Sequence, residues 1–290
     1  MNISAIFESL RPKQWHKNLF IFAPLIFSQN VFEWPLLQRS LLGFLAFCLL
    51  SGAVYIFNDL HDLEEDKHHP LKARRPLASG RLKKTHAWIA FIVVSAGSLA
   101  LSYALSPRFF AAALVYIVLQ TAYSLGLKHI VILDLFIIAA GFLLRVVAGG
   151  LVIDVSLSPW ILICIFLLAL FLAMGKRRHE LVLLEDEAQA HRPILKEYSP
   201  LLLDQMISVV TASTVVAYCL YTISDETVAK FGTTNLIFTA PFVIYGIFRY
   251  LYLVHRKNLG GSPEALVLKD KPLFIALILW IAVSAVILYI

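Results

Sequence analysis

Apolar residues along this chain run in long blocks separated by short polar breaks, a pattern that predicts helices apolar nearly all round. Nine blocks approach or exceed the roughly 17 to 25 residues that a membrane span requires: 18–35, 37–57, 86–105, 109–125, 131–152, 159–175, 205–224, 234–254 and 272–290. Pro24 interrupts the first of them. Ahead of these blocks Ile3, Ile6, Phe7 and Leu10 recur at i, i+3, i+4 and i+7, which predicts a small interfacial helix over 2–10. With no basic n-region and apolar h-region, this segment is not expected to act as a cleavable leader. The expectation is an all-α polytopic membrane protein of nine transmembrane helices, forming a single domain over 1–290. Counting spans 1–4 and 5–8 as two similar halves places the two long polar segments, 58–85 and 176–204, at matching positions.

Composition agrees with the pattern. Hydrophobic residues make up 59% of the chain and charged residues 15%, and a mean hydropathy of +0.77 excludes a soluble globular domain. Of the 25 lysines and arginines, twenty fall on one side of the nine-span reading and only Arg39, Arg108 and Lys230 on the other. The positive-inside rule then puts the N-terminus in the cytoplasm of a bacterial-type plasma membrane and the C-terminus outside. The net charge of +6 reflects that bias and whatever the basic loops bind, and is no signal for nucleic acid. Cys48, Cys164 and Cys219 sit in separate spans, as packing residues rather than a redox or metal set.

Against this apolar background the run Asn58 to Asp66, NDLHDLEED, stands out. Asp59, Asp62 and Asp66 are spaced i, i+3 and i+7, which places three carboxylates on one helix face, where they repel unless a cation lies between them. Oxygen-only ligation of this kind suits Mg²⁺, which takes one or two protein carboxylates with waters and substrate phosphates. Next comes HHPLKARRPLASGRLKK, in which Arg74 and Arg75, between Pro70 and Pro76, present two guanidinium forks suited to phosphate oxygens. Lys83 and Lys84 read as ordinary cytoplasmic-side charge. The stretch RPKQWHKNLFIFAPL carries Arg11, Lys13, Gln14, Lys17 and Asn18; Gln14 and Asn18 lie on one helical face and add directional donors that interface anchoring by Trp15 does not need. Lys176, Arg177 and Glu180 end span six, where positive charge also complements a helix C-terminus. Asp134 and Arg145 share a face within span five but lie roughly 16 Å apart along it, too far to pair.

Taken together these residues resemble the UbiA superfamily of intramembrane prenyltransferases. The similarity rests on the nine apolar blocks, N-D-x-x-D-x-x-x-D at 58–66, and Tyr123-Ser124 through Lys128. RPKQWHKNLFIFAPL at 11–25, FLLRVVAGG at 142–150 and GKRRHEL at 175–181 make it most similar to the decaprenyl-phosphate phosphoribosyltransferase branch. The resemblance implies a single UbiA-like bundle with a cytoplasmic mouth. It implies Mg²⁺ on Asp59, Asp62 and Asp66 with Asn58 orienting a phosphate or water. Substrate contacts are implied for Lys13, Gln14, Lys17, Asn18, Arg74, Arg75, Tyr123, Lys128, Asp134, Arg145, Lys176, Arg177 and Glu180. The implied partners are phosphoribosyl pyrophosphate and a polyprenyl phosphate from the bilayer, with a homo-oligomer left open. Where aromatic prenyltransferases of this superfamily carry a second aspartate-rich motif, this chain reads GKRRHELVLLEDEA, whose contiguous Glu185, Asp186 and Glu187 point apart. That basic replacement favours two phosphorylated substrates over an aromatic acceptor. The alternatives are an aromatic prenyltransferase using a polyprenyl diphosphate and a transporter of a phosphorylated lipid.

Overall fold

The computed structural model describes residues 2–69, 72–184 and 193–289. Among these the chain is helical without strands and falls into two compact units, 1–157 and 158–290. Eight helices are long and apolar enough to cross a membrane, four in each unit.

Unit 1 begins with α1 (Ile3–Ser9), N-capped by Asn2, whose Oδ1 accepts from the Ala5 N–H at 3.1 Å. Ala5 and Leu10 pack against Ile56, Leu63, Leu77 and Leu82, while Ile3 and Phe7 stay exposed, as an interfacial helix requires. The first expected span is not one long helix. Residues Pro12–Phe22 form a 3₁₀ helix and Ala23–Phe27 a short α2; Pro12 and Pro24 remove backbone donors at the two starts and break regular α propagation. The segment nevertheless runs beside the long α3 (Trp34–His61) from end to end. Arg11 meets Asp59, Asn18 meets Ser51, and Phe22 meets Phe44. Two glycines on different helices make room for the start of the chain, Gly149 of the helix Leu133–Val152 for the segment's own backbone and Gly52 of α3 for Leu10 just before it. A Cβ on Gly149 would lie 2.2 Å from the Ile21 carbonyl oxygen, and one on Gly52 would lie 2.8 Å from Leu10 Cδ2.

A short α4 (Leu63–His68) follows α3, and α5 (Lys84–Leu105), α6 (Pro107–Leu125) and α7 (Leu133–Val152) complete the unit. Phe47, Phe109, Tyr116, Ile21, Leu25 and Val152 form its core. Ile92, Val93 and Val118 are at least 60% exposed, an apolar outer surface that fits hydrocarbon and not water. Unit 2 holds α8 (Pro159–Leu184), α9 (Pro200–Ile223), α10 (Asp225–Phe231), a 3₁₀ turn (Asn235–Thr239) leading into α11 (Ala240–Lys257), α12 (Pro263–Lys269) and α13 (Lys271–Tyr289). With the first block no longer a long helix, the long helices of unit 1 are blocks two to five and those of unit 2 blocks six to nine, a different division from the expected spans 1–4 and 5–8; the first long helix of each unit, α3 or α8, leads into one of the two polar segments.

Candidate active site

The acidic motif sits where α3 ends. Its last helical residue is His61, Asp62 forms the joint (φ −88°, ψ 12°), and α4 restarts at Leu63. This joint divides the expected three-aspartate clasp. Asp59 and Asp66, one on each side of it, are buried and share one cation: Arg75 Nη1 donates to Asp59 Oδ1 at 3.1 Å and to Asp66 Oδ2 at 2.5 Å. Arg11 also donates to Asp59 Oδ1. Lys72 Nζ lies 3.6 Å from Asp66 Oδ1, an atom that is buried and has no hydrogen-bond partner. Asp62 turns elsewhere, accepting from Lys128 Nζ at 2.5 Å and from Asn58 Nδ2 at 2.9 Å. Ser124 Oγ lies 3.1 Å from Asn58 Oδ1, so Asn58, Asp62, Ser124 and Lys128 form a second small cluster.

Arg11 was not among the expected site residues. It adopts a left-handed backbone conformation (φ 52°, ψ 63°) at the turn between α1 and the 3₁₀ helix, and its guanidinium stacks 4.6 Å from the Tyr55 ring centroid. A non-glycine residue held there costs about 1 kcal/mol, and the turn is what carries its side chain back to Asp59. Only its place at the head of RPKQW hinted at this. The loop bearing Arg75 is fixed to α1 by Arg81, which donates to both Glu8 oxygens at 2.7 and 2.9 Å. Those bonds hold the Glu8 carboxyl below its usual range. Gly80, at φ +77°, supplies the left-handed turn that lets the loop fold back. Arg74, the other half of the expected pair, is exposed. With Glu8, Ser9, Arg11, Asp59, Arg75 and Pro76 it lines a cleft of about 270 Å³. Two carboxylates, Glu8 and Asp59, face three guanidiniums there, Arg11, Arg74 and Arg75, so the cleft retains a positive excess that attracts anions.

The remaining expected residues of unit 1 separate by depth. Lys13 is exposed, and Gln14, Lys17 and Tyr123 are partly exposed. Asn18 and Arg145 are buried and committed to each other. Arg145 donates from Nε to Asn18 Oδ1 at 2.8 Å, from Nη1 to the Gly141 carbonyl at 2.6 Å and from Nη2 to Tyr116 Oη at 2.8 Å. Asn18 Nδ2 in turn donates to Ser51 Oγ at 3.1 Å. Arg145 thus joins the irregular first segment to α6 and α7, and its guanidinium and Asn18 do not line the cleft. Asp134 is fully buried in the first turn of α7, where a carboxylate complements the helix N-terminus.

In unit 2 the GKRRHEL segment ends α8. Lys176 is exposed; Arg177 is buried and donates to Glu180 at 3.2 Å. Arg178 grips Asp204 of α9 with bonds of 2.5 and 3.3 Å, and His255 Nδ1 of α11 lies 3.7 Å from the same carboxylate. His179 Nδ1 accepts from the Gly260 N–H at 3.1 Å and so anchors the turn before α12. Half of this basic token is therefore spent on tying helices together. Pro70 and the contiguous Glu185, Asp186 and Glu187 lie outside the described residues.

Among the described residues no three carboxylate, histidine or cysteine groups converge to hold a metal by themselves. The donor set still fits Mg²⁺. It is all oxygen, it pairs Asp59 with Asp66, and the unpartnered Asp66 Oδ1 leaves a buried lone pair for a cation. A hard cation that keeps water and phosphate oxygens needs no more protein than that.

The chain matches the UbiA prenyltransferase family model over residues 19–278. It is 32% identical to the decaprenyl-phosphate phosphoribosyltransferase of Mycolicibacterium smegmatis over 99% of this chain and 93% of that protein. With the enzyme of the same name from Corynebacterium glutamicum the identity is 32%, over 98% of this chain and 86% of the relative. Among solved structures, a UbiA homolog from Archaeoglobus fulgidus bound to GPP and Mg²⁺ superposes with a TM-score of 0.73 at 20% identity, covering 99% of this chain and 100% of that one. A Cd²⁺-bound structure of a UbiA homolog from the same organism superposes with a TM-score of 0.69. A family match across most of the length, eight long apolar helices and an oxygen-lined acidic motif beside cationic side chains lead to one assignment: the chain is an integral membrane protein of the UbiA prenyltransferase family.

Proposed function

We propose that this protein transfers a 5-phosphoribosyl group from phosphoribosyl pyrophosphate to a polyprenyl phosphate drawn from the bilayer, releasing pyrophosphate. The observation that carries this reading is the Asp59–Arg75–Asp66 bridge, flanked by Arg11, Lys72 and the exposed Arg74. It sets carboxylate oxygens suited to a metal beside several cations suited to phosphate, with Asp59, Arg11, Arg74 and Arg75 lining one cleft and Asp66 and Lys72 behind it. The full-length similarity to enzymes named for this reaction supports it.

In the reaction an acceptor phosphate oxygen bonds to C1 of the ribose as the C1–O bond to pyrophosphate breaks, the leaving group departing with the electron pair. The acceptor is already an anion at neutral pH, so no general base is required. Asp59 and Asp66 would hold Mg²⁺, which supplies positive charge to the leaving pyrophosphate. Arg11, Arg74 and Lys72 bind and orient phosphate oxygens, and Asn58, held by Asp62 and Ser124, presents a polar amide at the edge of the site. On this reading the site faces the cytoplasm, where a soluble sugar donor is available, with the N-terminus inside and the C-terminus outside; the excess of lysine and arginine in the polar segments supports it, with the irregular first segment counted as a crossing beside the eight long helices.

The test supplies the protein in lipid nanodiscs with Mg²⁺, labelled phosphoribosyl pyrophosphate and polyprenyl phosphate. A labelled lipid is expected. Absence of that product, together with prenylation of an aromatic acid from polyprenyl diphosphate, would transfer the assignment to the aromatic prenyltransferases.

A further inference from the structure

Arg75 Nη1 lies between Asp59 Oδ1 and Asp66 Oδ2, 3.1 and 2.5 Å away, in the position that a cation shared by these two carboxylates would take. Its side chain is one quarter exposed and reaches the pair from a cleft that Arg11 and Arg74 also line. We infer that Arg75 is an exchangeable counter-ion: a divalent metal enters the Asp59–Asp66 pair only as Arg75 leaves it, and the freed guanidinium is taken up by the diphosphate that arrives with the metal. This rests on the metal-diphosphate reading above and adds to it an order of exchange.

The physical argument is one of compensation. Two buried carboxylates cannot remain close without a cation between them. An arginine and a divalent ion compete for that one position, so a metal arriving alone must strand a guanidinium without a strong acceptor. A metal arriving with a diphosphate offers that guanidinium phosphate oxygens in the bidentate geometry it favours. The result is positive coupling between metal and anion, and the cleft resists occupation by free metal. Lys72, 3.6 Å from Asp66 Oδ1 and one third exposed, serves as a weaker copy of the same device.

The test is a pair of titrations on the full chain in nanodiscs, read by the electron paramagnetic resonance of Mn²⁺ and not by turnover. Free Mn²⁺ is added in one, the preformed Mn²⁺–pyrophosphate complex in the other. Arg75→Gln is expected to bind free Mn²⁺ about tenfold more tightly than wild type and the complex about tenfold more weakly, within the usual range of coupling between linked sites. Arg75→Lys should remain nearer wild type. Lys72→Gln should show the same two opposite shifts at smaller size, and it decides the matter if Arg75→Gln fails to fold. Shifts of the same sign in both titrations, or an unchanged affinity for free Mn²⁺, would overturn the exchange while leaving the metal-diphosphate reading intact. Failure of Mn²⁺ to bind in either form, alone or with pyrophosphate, would overturn both.

Discussion

Replacing Gly149 by alanine puts the irregular first segment to a direct test. The added Cβ would lie 2.2 Å from the Ile21 carbonyl oxygen, 2.9 Å from its carbon and 3.0 Å from its Cα, so the strand of backbone opposite must retreat by about 1 Å to reach ordinary contact. Asn18 sits one 3₁₀ turn away on that backbone, and its 2.8 Å bond from Arg145 Nε cannot survive such a retreat. Overpacking of this kind costs ~1–3 kcal/mol, and a polar contact between helices in a bilayer adds ~0.6–1.7 kcal/mol. The expected loss is therefore about 2–5 kcal/mol. Gly97 is the matched control. A Cβ there meets nothing within 4 Å, so Gly97→Ala should be neutral or stabilising by up to ~1 kcal/mol. Equilibrium unfolding by SDS titration in mixed micelles measures both. Should Gly149→Ala come within ~0.5 kcal/mol of wild type, the close approach of the 3₁₀ segment to α7 is refuted, and with it the account of how Arg11 is held.

Three further outcomes are expected. Asp59→Asn should lower metal-dependent turnover by ~10²-fold or more, the size of losing a group that supports the charge developing at a reacting centre; phosphoribosyl transfer at the wild-type rate would remove Asp59 from the site. Glu8, whose carboxyl Arg81 holds below its usual range, is charged in the folded protein at lower pH than in the unfolded chain. The contact that fixes α1 to the Arg75 loop is thus fully present above about pH 4.3 and is lost as pH falls through the depressed folded value. Protection of the α1 amides in hydrogen exchange, corrected for intrinsic rate, should step down below about pH 4 in wild type, and Glu8→Gln should abolish the step. In unit 2 a Cβ on Gly261 would meet His179 Cδ2 at 2.7 Å and Nε2 at 2.8 Å. Gly261→Ala should displace the turn, break the Gly260–His179 bond and cost ~1–3 kcal/mol in thermal unfolding, whereas a wild-type melting profile would show that the turn yields freely.

The long apolar helices were legible because a membrane span is written in length and hydropathy, which need no tertiary information. Residues 18–35 misled for the same reason. A hydropathy window registers apolar content over Phe20 to Phe27, but the choice of 3₁₀ over α there depends on Pro12, Pro24 and a neighbour, Gly149, that sequence spacing does not reveal. The acidic motif was expected to clasp a metal with three aspartates; the cations those aspartates meet in the structure are arginine and lysine side chains. What spacing could not give was the joint at Asp62, which sends one carboxylate to Lys128, or the identity of the cations that meet the others. Arg75 was expected to present a fork to phosphate, yet the loop folds back and its guanidinium finds Asp59 and Asp66. Arg145 and Asn18, 127 residues apart, carried the chemistry of a binding pair and turned out to satisfy each other. Arg178 could not be read as structural because its partner Asp204 lies 26 residues away on another helix.

The Asn18–Arg145 bond and the Ile21–Gly149 approach also bear on the order in which the protein is made. The segment that carries Arg11 leaves the ribosome before α7, which follows more than a hundred residues later, yet α7 shares with α3 the surface on which it settles. Until α7 is inserted, the Asn18 amide nitrogen can reach Ser51 of α3 but its buried oxygen lacks the Arg145 donor. The candidate site is consequently finished from the rear: Arg11 finds Asp59 on α3, but the segment that holds it there gains its last partner only when the fourth long helix is in place.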